Sequence, residues 1–424
     1  MEEKKLRITF HGAAQEVGRS CIEVASDNYR IIFDAGIKFG EEGTEYPVKM
    51  KDVDKIDAVF VSHAHLDHTG YLPHLMKAGL DCPVYMTHGT RVLTKILLKD
   101  SYGIDLLKNQ LQYHKADMKR VFSRTKILDY GREELQESMR FRMDSAGHIP
   151  GSAITTVDMD GRKIMYTGDI RLSDTLLLEK ANVQGSPDVL ICETTYGNKL
   201  QNDRQGEIRE FIQAIRKTLK DGGSVIIPVF AVGRAQEVIM MIYDKFNVPV
   251  YMDGMGIEVC EKMLAMPEFV RDKSLLKTAF SRVKVIKSWK DRKDVMKEKA
   301  IFVTTSGMLT GGPVIEYLKH HYFDERTAIF LTGYQVEGTN GRTLLEEGKV
   351  SLDGMTVKVK CKVRKFDFSA HADSKALKDM ILKLRPKHLC LVHGEPESGQ
   401  AIKDFAEKRG MKVYLQKPGD TIRI

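Results

Sequence analysis

The residues best able to do chemistry crowd into one stretch, His63-Ala64-His65-Leu66-Asp67-His68. Residues 56–61, rich in β-branched and aromatic side chains, predict a short buried strand running straight into it. In an extended segment His63, His65 and Asp67 alternate with Ala64 and Leu66, so the three polar side chains share one side. His68 follows directly, and the chain must bend to bring it to the same place. Three imidazoles and a carboxylate within six residues suit a borderline divalent metal such as zinc, which takes nitrogen and oxygen ligands. Packed polarity on this scale is costly to bury unless it shares a partner.

The same design recurs along the chain. Predicted strands over 29–33, 140–144, 163–166 and 189–192 stop just before Asp34, His148, Asp169 and Glu193, each beside small or turn-forming residues. Far downstream, strands expected over 365–368 and 389–392 deliver His371 and His393. In α/β sheets, sites gather beyond the carboxyl ends of strands, so these acids and imidazoles are expected along one edge. His11, His74, His88, His114, His320, His321 and His388 lack that context and read as ordinary residues.

The elements that must position these groups fall into two styles. Strands over 6–10 and 21–24, an amphipathic segment over 71–78, a strand over 84–87 and helices over 90–99 and 104–119 surround the metal run. From residue 198 the text becomes alternating αβ units: helix 205–220, strand 224–229, helix 235–246, strand 248–252, strand 300–304 and strand 327–331. A helix opens at Pro313 after Gly311 and Gly312, exposing backbone N–H groups suited to an anion. The Gly-Lys-Ser/Thr of a nucleotide P-loop is absent, which disfavours ATP. Over 357–365, Val357, Val359, Cys361 and Val363 alternate with Lys358, Lys360, Lys362 and Arg364, predicting one strand with a basic face. Because the ligand-bearing pattern resumes at His371, residues 198–368 read as an insertion between 1–197 and 369–424.

Composition narrows the class. A chain of 424 residues exceeds one ordinary core, so two domains or one large insertion are expected. Apolar content of 42% with 29% charged residues describes a globular, ordered protein. No apolar run approaches a membrane span, and the start lacks a signal-peptide core. Six cysteines without a Cys-x-x-Cys pair point to free thiols, a reducing cytoplasm and no cysteine metal site. The formal charge of +8 is uneven: residues 271–299 hold eleven Lys/Arg against four Asp/Glu, as a solvated face or a polyanion-facing one would.

These residues carry a resemblance. The run His63 to His68, with Asp34, His148 and Asp169, is similar to the signature of the metallo-β-lactamase fold. Glu193 in Glu-Thr-Thr-Tyr-Gly, His371 in Phe-Ser-Ala-His-Ala-Asp and His393 in Val-His-Gly-Glu resemble three further motifs of the β-CASP nucleases. Residues 228–237 and 338–344 resemble that group's inserted domain. The likeness spans essentially the whole chain and is closest to the cleavage-and-polyadenylation-factor type and its short archaeal and bacterial relatives. It implies an α/β protein: a metallo-β-lactamase αββα sandwich interrupted by an α/β β-CASP domain. It implies no N-terminal KH extension and no long C-terminal region, which bears on specificity and partners.

The resemblance also implies two zinc ions (Zn2+) per chain. One would be held by His63, His65 and His148, the other by Asp67, His68 and His393, with Asp169 bridging. Paired metals can share a hydroxide nucleophile and clamp a phosphate. His371 is then the general acid, Glu193 holds its imidazole, and Asp34 supports the ligands. Arg234, Ser306, Gly307, Gly311, Gly312, Arg342 and Ser369 are the expected phosphate contacts. The implied activity is cleavage of single-stranded RNA, endonucleolytic or 5′→3′ exonucleolytic, in RNA processing or decay, with a homodimer or an assembly with other RNA-processing proteins as possible states. Hydrolysis of a small thioester or lactone, a non-enzymatic RNA-binding role and a DNA substrate stand as rival expectations.

Overall fold

The computed structural model describes residues 5–40 and 43–424. Two compact units emerge. The first gathers residues up to Asp174, Lys180–Leu200 and Ala370–Ile424; the second comprises Thr175–Glu179 and Gln201–Ser369.

The first unit is built on two seven-stranded sheets. One runs Thr421–Arg423, Arg7–Phe10, Ile22–Ala25, Arg30–Phe33, Ala58–Phe60, Val84–Met86, Thr125–Ile127. The other runs Lys412–Tyr414, His388–Val392, Val189–Glu193, Arg162–Tyr166, Ala153–Met159, Met139–Ser145, Glu133–Gln136. Alternate residues of each strand meet between the sheets: Ile8, Phe10, Ile31, Phe33 and Phe60 against Phe141, Val157, Ile164, Tyr166, Ile191 and Val392. The opposite face of the first sheet offers Ile32, Val59, Val61 and Val84 to Leu72, Leu75, Met76 and Val121 of the helices Leu72–Lys77 and Lys115–Arg124. The opposite face of the second packs Met165, Leu190, Leu389 and Leu391 on helices Ser374–Leu384 and Pro396–Glu407. The result is the expected helix–sheet–sheet–helix order. Strands buried on both faces read as unbroken apolar runs, as Val189–Glu193 does.

The late return of the chain is what completes this unit. His388–Val392 lies parallel to Val189–Glu193, with Glu193 opposite Val392, so His393 emerges beside Glu193.

The second unit is a six-stranded sheet ordered Lys284–Ile286, Val250–Asp253, Ile301–Thr304, Val225–Pro228, Ala328–Leu331, Lys362–Lys365, every neighbouring pair parallel. Ile226, Tyr251, Phe302, Tyr317 and Leu331 centre its core.

Three expectations about elements need correction. The helix His88–Leu107 runs unbroken through the region expected to separate two helices, because Leu98 and Ser101 keep packing inward. It ends before Asn109, which takes the left-handed φ of 55°, and helix Lys115–Arg124 starts afresh where Asp117 accepts from the His114 N–H at 2.9 Å. Residues 357–365 are not one strand. Met355–Lys358 forms a hairpin with Lys349–Leu352, and Lys362–Lys365 forms the sheet edge. Between them, Val359 N–H donates to Gly348 O and Lys360 N–H to Tyr322 O, turning the chain while Val359 and Cys361 stay in the core. The strand expected over 365–368 ends at Lys365; Phe366 and Phe368 instead pack edge-on against Phe211.

One close approach sets the metal run. The loop after Arg30–Phe33 lies against the short helix Leu66–Thr69: Ala35 N–H donates to His68 O at 2.8 Å and Ile37 N–H to Leu66 O at 3.0 Å. A Cβ on Gly36 would sit 1.7 Å from the Asp67 carbonyl oxygen. Gly36→Ala is therefore expected to destabilise the protein by roughly 1–3 kcal/mol through overpacking and to lower bound zinc. Gly103→Ala, in a helix with nothing near the new methyl, should leave zinc unchanged. Thermal unfolding and metal analysis of the two variants check this.

Candidate metal centre

The strand ends meet as their spacing in sequence suggested. His63 Nε2 lies 3.1 Å from His65 Nδ1, and His148 Nε2 lies 3.2 Å from the same atom. Asp169 Oδ2 is 3.5 Å from His63 Nε2 and 3.6 Å from His148 Nε2. A tetrahedral zinc with ligands at 2.0–2.2 Å separates its ligand atoms by roughly 3.3–3.6 Å, so these four donors are spaced like the edges of such a shell. The other oxygen, Asp169 Oδ1, faces a second group: His68 Nε2 at 3.5 Å and His393 Nδ1 at 3.1 Å. Asp67 Oδ2 adjoins it, 3.3 Å from His393 Nε2 and 3.8 Å from His68 Nε2. Asp169 Oδ1 is buried and has no hydrogen bond among the described residues. An orphaned carboxylate oxygen inside a ring of imidazole nitrogens is what an absent cation would satisfy. The donor set fits zinc.

Hydrogen bonds around the donors fix which nitrogen faces inward. His68 Nδ1–H donates to Asp34 Oδ2 at 2.7 Å, His63 Nδ1–H to Ser62 Oγ at 3.0 Å, and His148 Nδ1–H to the Ala370 carbonyl at 2.9 Å. Each Nε2 lone pair is thereby turned toward the cluster. Asp34 is itself fully buried and accepts from Ser62 N–H, Ser62 Oγ–H and Tyr166 O–H, each at 2.7 Å. Asp34 and His393 hold left-handed φ values of 58° and 48°, a conformation uncommon for such residues.

The electrostatics agree. Burial, then the charge on His68, pushes His63 well below the usual imidazole range. Burial and His371 do the same to His148, and burial lowers His65. Three neutral imidazoles is the state in which they ligate. Burial opposes ionisation of Asp169, but His393 and His68 outweigh it and hold the carboxylate well below its ordinary range. Burial likewise opposes charge on His68, yet Asp169, Asp34 and Asp67 raise it well above normal. The cluster thus draws positive charge to itself.

His371 stands at the margin of the cluster, its ring 4.7 Å from that of His148 and 6.3 Å from that of His393. Its Nδ1–H reaches both Glu193 oxygens at 3.0 Å. Glu193 is fully buried and accepts the Ile170 N–H at 2.6 Å. Burial works against the imidazolium, but Glu193 and then Asp169 raise His371 to about 9. Arg171 pins the residue through its carbonyl at 3.1 Å.

Sequence reasoning missed Ser62, Tyr166, Arg171, Thr195 and the Ala370 carbonyl, which steady the ligands without touching the cation position. Thr195 bridges to His393 through Oγ1, 3.2 Å from Nδ1. It lay inside a quoted motif, whereas a backbone carbonyl leaves no trace in sequence.

The expected phosphate contacts lie in the second unit. Arg234 is buried, with Nη1 2.6 Å from Glu237 and its guanidinium 6.0 Å from the Phe368 ring centre. Arg342 pairs with Glu346 at 2.6 Å. Ser306 Oγ–H donates to Gly311 O at 3.1 Å and accepts Thr310 N–H. Gly307 lies against Phe230, Gly311 faces open space, and Gly312 takes a φ of 74°. Ser369 N–H donates to Asp367, and its carbonyl accepts from Arg204.

Family models match most of the chain: the metallo-beta-lactamase superfamily over residues 14–228, a Beta-Casp domain over 235–344, and a Zn-dependent metallo-hydrolase RNA specificity domain over 356–416. A probable RNase, MJ4, of Methanocaldococcus jannaschii is 39% identical over 99% of this chain and 100% of its own length. The RNase aCSPSF2 of Saccharolobus solfataricus is 35% identical, covering 97% of this chain and 84% of that protein. The transcription termination factor FttA of M. jannaschii is 35% identical over 99% of this chain and 72% of its own length. A solved protein of unknown function from Enterococcus faecalis shares the fold at 14% identity, with a TM-score of 0.61 over 99% of this chain and 100% of that one. The chain belongs to the β-CASP family of the metallo-β-lactamase superfamily, a family of zinc-dependent metallo-hydrolases.

Proposed function

We propose that the protein is a ribonuclease that cleaves single-stranded RNA endonucleolytically with two zinc ions per chain, working in the cytoplasm in RNA processing or decay. The observation that carries this reading is the His371–Glu193 pair set beside two donor groups that share Asp169. Hydrolysis of a thioester has little use for so strongly held an acid, because a thiolate leaves without a proton, whereas a departing ribose oxygen needs one. The ribonucleases MJ4 and aCSPSF2 are relatives over nearly the full chain. Six buried free cysteines fit a reducing compartment, and no helix of the described residues is long and apolar enough to cross a membrane.

His63, His65 and His148 would hold one zinc and Asp67, His68 and His393 the other, with one Asp169 oxygen directed to each. When bound, such ions supply an activated water and offset the charge of the scissile phosphate. The chain's own work is positional. Asp34, Ser62 and the Ala370 carbonyl keep three imidazoles in one tautomer, and burial favours the neutral form of His65. His371, protonated and oriented by Glu193, gives its proton to the departing oxygen.

Incubation of labelled RNA carrying a 5′ triphosphate or a 5′ monophosphate tests the reading, beside a DNA copy and a small thioester and lactone. Internal fragments from both RNAs are expected. Mononucleotides from the monophosphate alone would assign the 5′→3′ exonuclease mode instead, and turnover of the esters without RNA cleavage would overturn the reading.

Two variants probe the roles. His371→Ala should lose roughly 10²–10⁴-fold in rate, the usual worth of a general acid, with two zinc ions retained; loss of one zinc would make it a ligand. Because the imidazolium is the active form, activity should fall as pH rises through its pKa. Glu193→Gln removes a carboxylate that raises that pKa, so the alkaline limb should move to lower pH. Asp34→Asn should weaken zinc binding roughly 10–100-fold, as loss of a ligand's supporting carboxylate does, measured by competition with a chelating dye.

A further inference from the structure

A surface that plays no part in the metal centre lies on the second unit, at the open edge of its sheet. We propose that residues 284–297 form a docking surface for single-stranded RNA, with the Trp289 indole stacking on a base and the surrounding lysines meeting phosphates. The proposal rests on the ribonuclease reading and adds a binding site made of residues outside the metal-donor groups.

The surface is firmly built. Strand Lys284–Ile286 is the outermost of the sheet and pairs only with Val250–Asp253. The helix Trp289–Val295 follows at once, capped by Ser288, whose Oγ accepts Asp291 N–H at 3.1 Å. Arg292 anchors that helix inward. Its Nε and Nη2 donate to the buried Asp253 at 2.6 and 3.0 Å, and Tyr317 O–H donates to the same carboxylate at 2.9 Å. With Arg292 committed and Val295 packed on the core, Trp289, Lys290, Asp291, Lys293 and Asp294 face water.

What faces water is unusual in combination. Trp289 is 57% exposed, and Lys293 Nζ stands 3.8 Å from its ring centre. Lys284, Lys287, Lys290 and Lys297 are exposed around it, and among the described residues no acid lies within ion-pair distance of any of the five lysines. Cations outnumber acids here: within the segment stand only Asp291, which accepts the Lys287 N–H at 3.3 Å, and the exposed Asp294, while Glu298 just beyond accepts Tyr251 O–H at 2.6 Å. The field of the lysines is therefore left for an outside anion. A flat apolar ring among unpaired cations matches the two parts of a single strand, bases with π faces and a phosphate backbone. An acidic protein would satisfy the lysines but gives no reason for the exposed indole.

Trp289 is the chain's sole tryptophan, so its own fluorescence reads the site. The full-length His371→Ala variant, chosen because its cleavage is expected to be slow on the time of a titration, is titrated with an oligouridylate while labelled-RNA anisotropy follows binding. Saturable quenching in step with anisotropy is expected. Trp289→Ala should weaken binding roughly tenfold, with Trp289→Phe restoring most of it. Replacing Lys287, Lys290 and Lys293 by Gln should flatten the plot of log affinity against log salt by about two, the effect of three single-strand phosphate contacts. Unchanged emission at RNA concentrations that saturate anisotropy would overturn the proposal. Equal quenching by inorganic polyphosphate or polyglutamate would also overturn it. Quenching without RNA cleavage by the wild type would sink the ribonuclease reading alone; cleavage without quenching would sink this surface alone.

Discussion

The first unit depends on one carboxylate being shared. Asp169 lends Oδ2 to the His63 and His148 nitrogens and Oδ1 to His68 and His393. Its side chain is almost wholly buried, and Oδ1 has no hydrogen-bond donor to settle it. A buried, ionised oxygen in that state is unstable unless positive charge lies close. In the protein alone that charge comes from protonated imidazoles, which is why His68 is driven upward while its neighbours are driven down. A divalent cation held there would answer the same demand while leaving the imidazoles neutral. Metal binding and the folding of this region are then linked, since a site this polar is costly to bury empty.

The sheets are arranged to make that sharing possible. Asp34 and His393 follow directly on a strand, Glu193 closes one, and Ser62 and Asp169 come two and three residues after one; those strands come from both sheets. The parallel pairing of Val189–Glu193 with His388–Val392 places two of them side by side across a long gap in sequence. Local backbone concessions accompany the placement: left-handed Asp34 and His393, and a glycine at position 36 where no side chain fits against the Asp67 carbonyl. Such conformations persist where the surrounding packing over-determines them.

The metal run, the strand-end acids and the αββα order could be read from residue types because each rests on a short-range pattern. His63 to His68 crowd four donors into six residues, although the run is not extended as expected: Leu66–Thr69 is helical and sets Asp67 beside His68 and His393. Residues 189–192 are apolar because both faces of their strand are covered. What resisted reading depends on contacts between distant segments. Helix His88–Leu107 continues through Asp100 and Gly103 because packing, not propensity, decides there. The alternation over 357–365 looked like one strand, yet hydrogen bonds to Gly348 and Tyr322 break it in two. Its basic face is also less open than the pattern suggested, since Lys362 pairs with Asp221 and Arg364 with Glu210. The supporting hydroxyls of Ser62 and Tyr166 carry no signal until Asp34 is seen beside them.

His371 and Glu193, with Asp169, could themselves be taken for a further metal group, since their ligand atoms lie within 4.8 Å of one another. The surroundings of Glu193 argue for a proton instead. Its carboxylate already accepts backbone N–H groups from Ile170 at 2.6 Å and Thr195 at 3.4 Å, and both oxygens face His371 Nδ1. A ligating imidazole would have to turn its lone pair toward the metal while that same nitrogen keeps its proton for Glu193. Only Nε2 could then ligate, and the raised affinity of the ring for a second proton competes for it. Cations on Asp169 and Asp67 would weaken two of the contributions that raise His371, whereas Glu193, the largest of them, lies outside the donor groups built on His63, His65, His68, His148 and His393. A carboxylate outside those groups would let the proposed acid keep its proton beside bound metal.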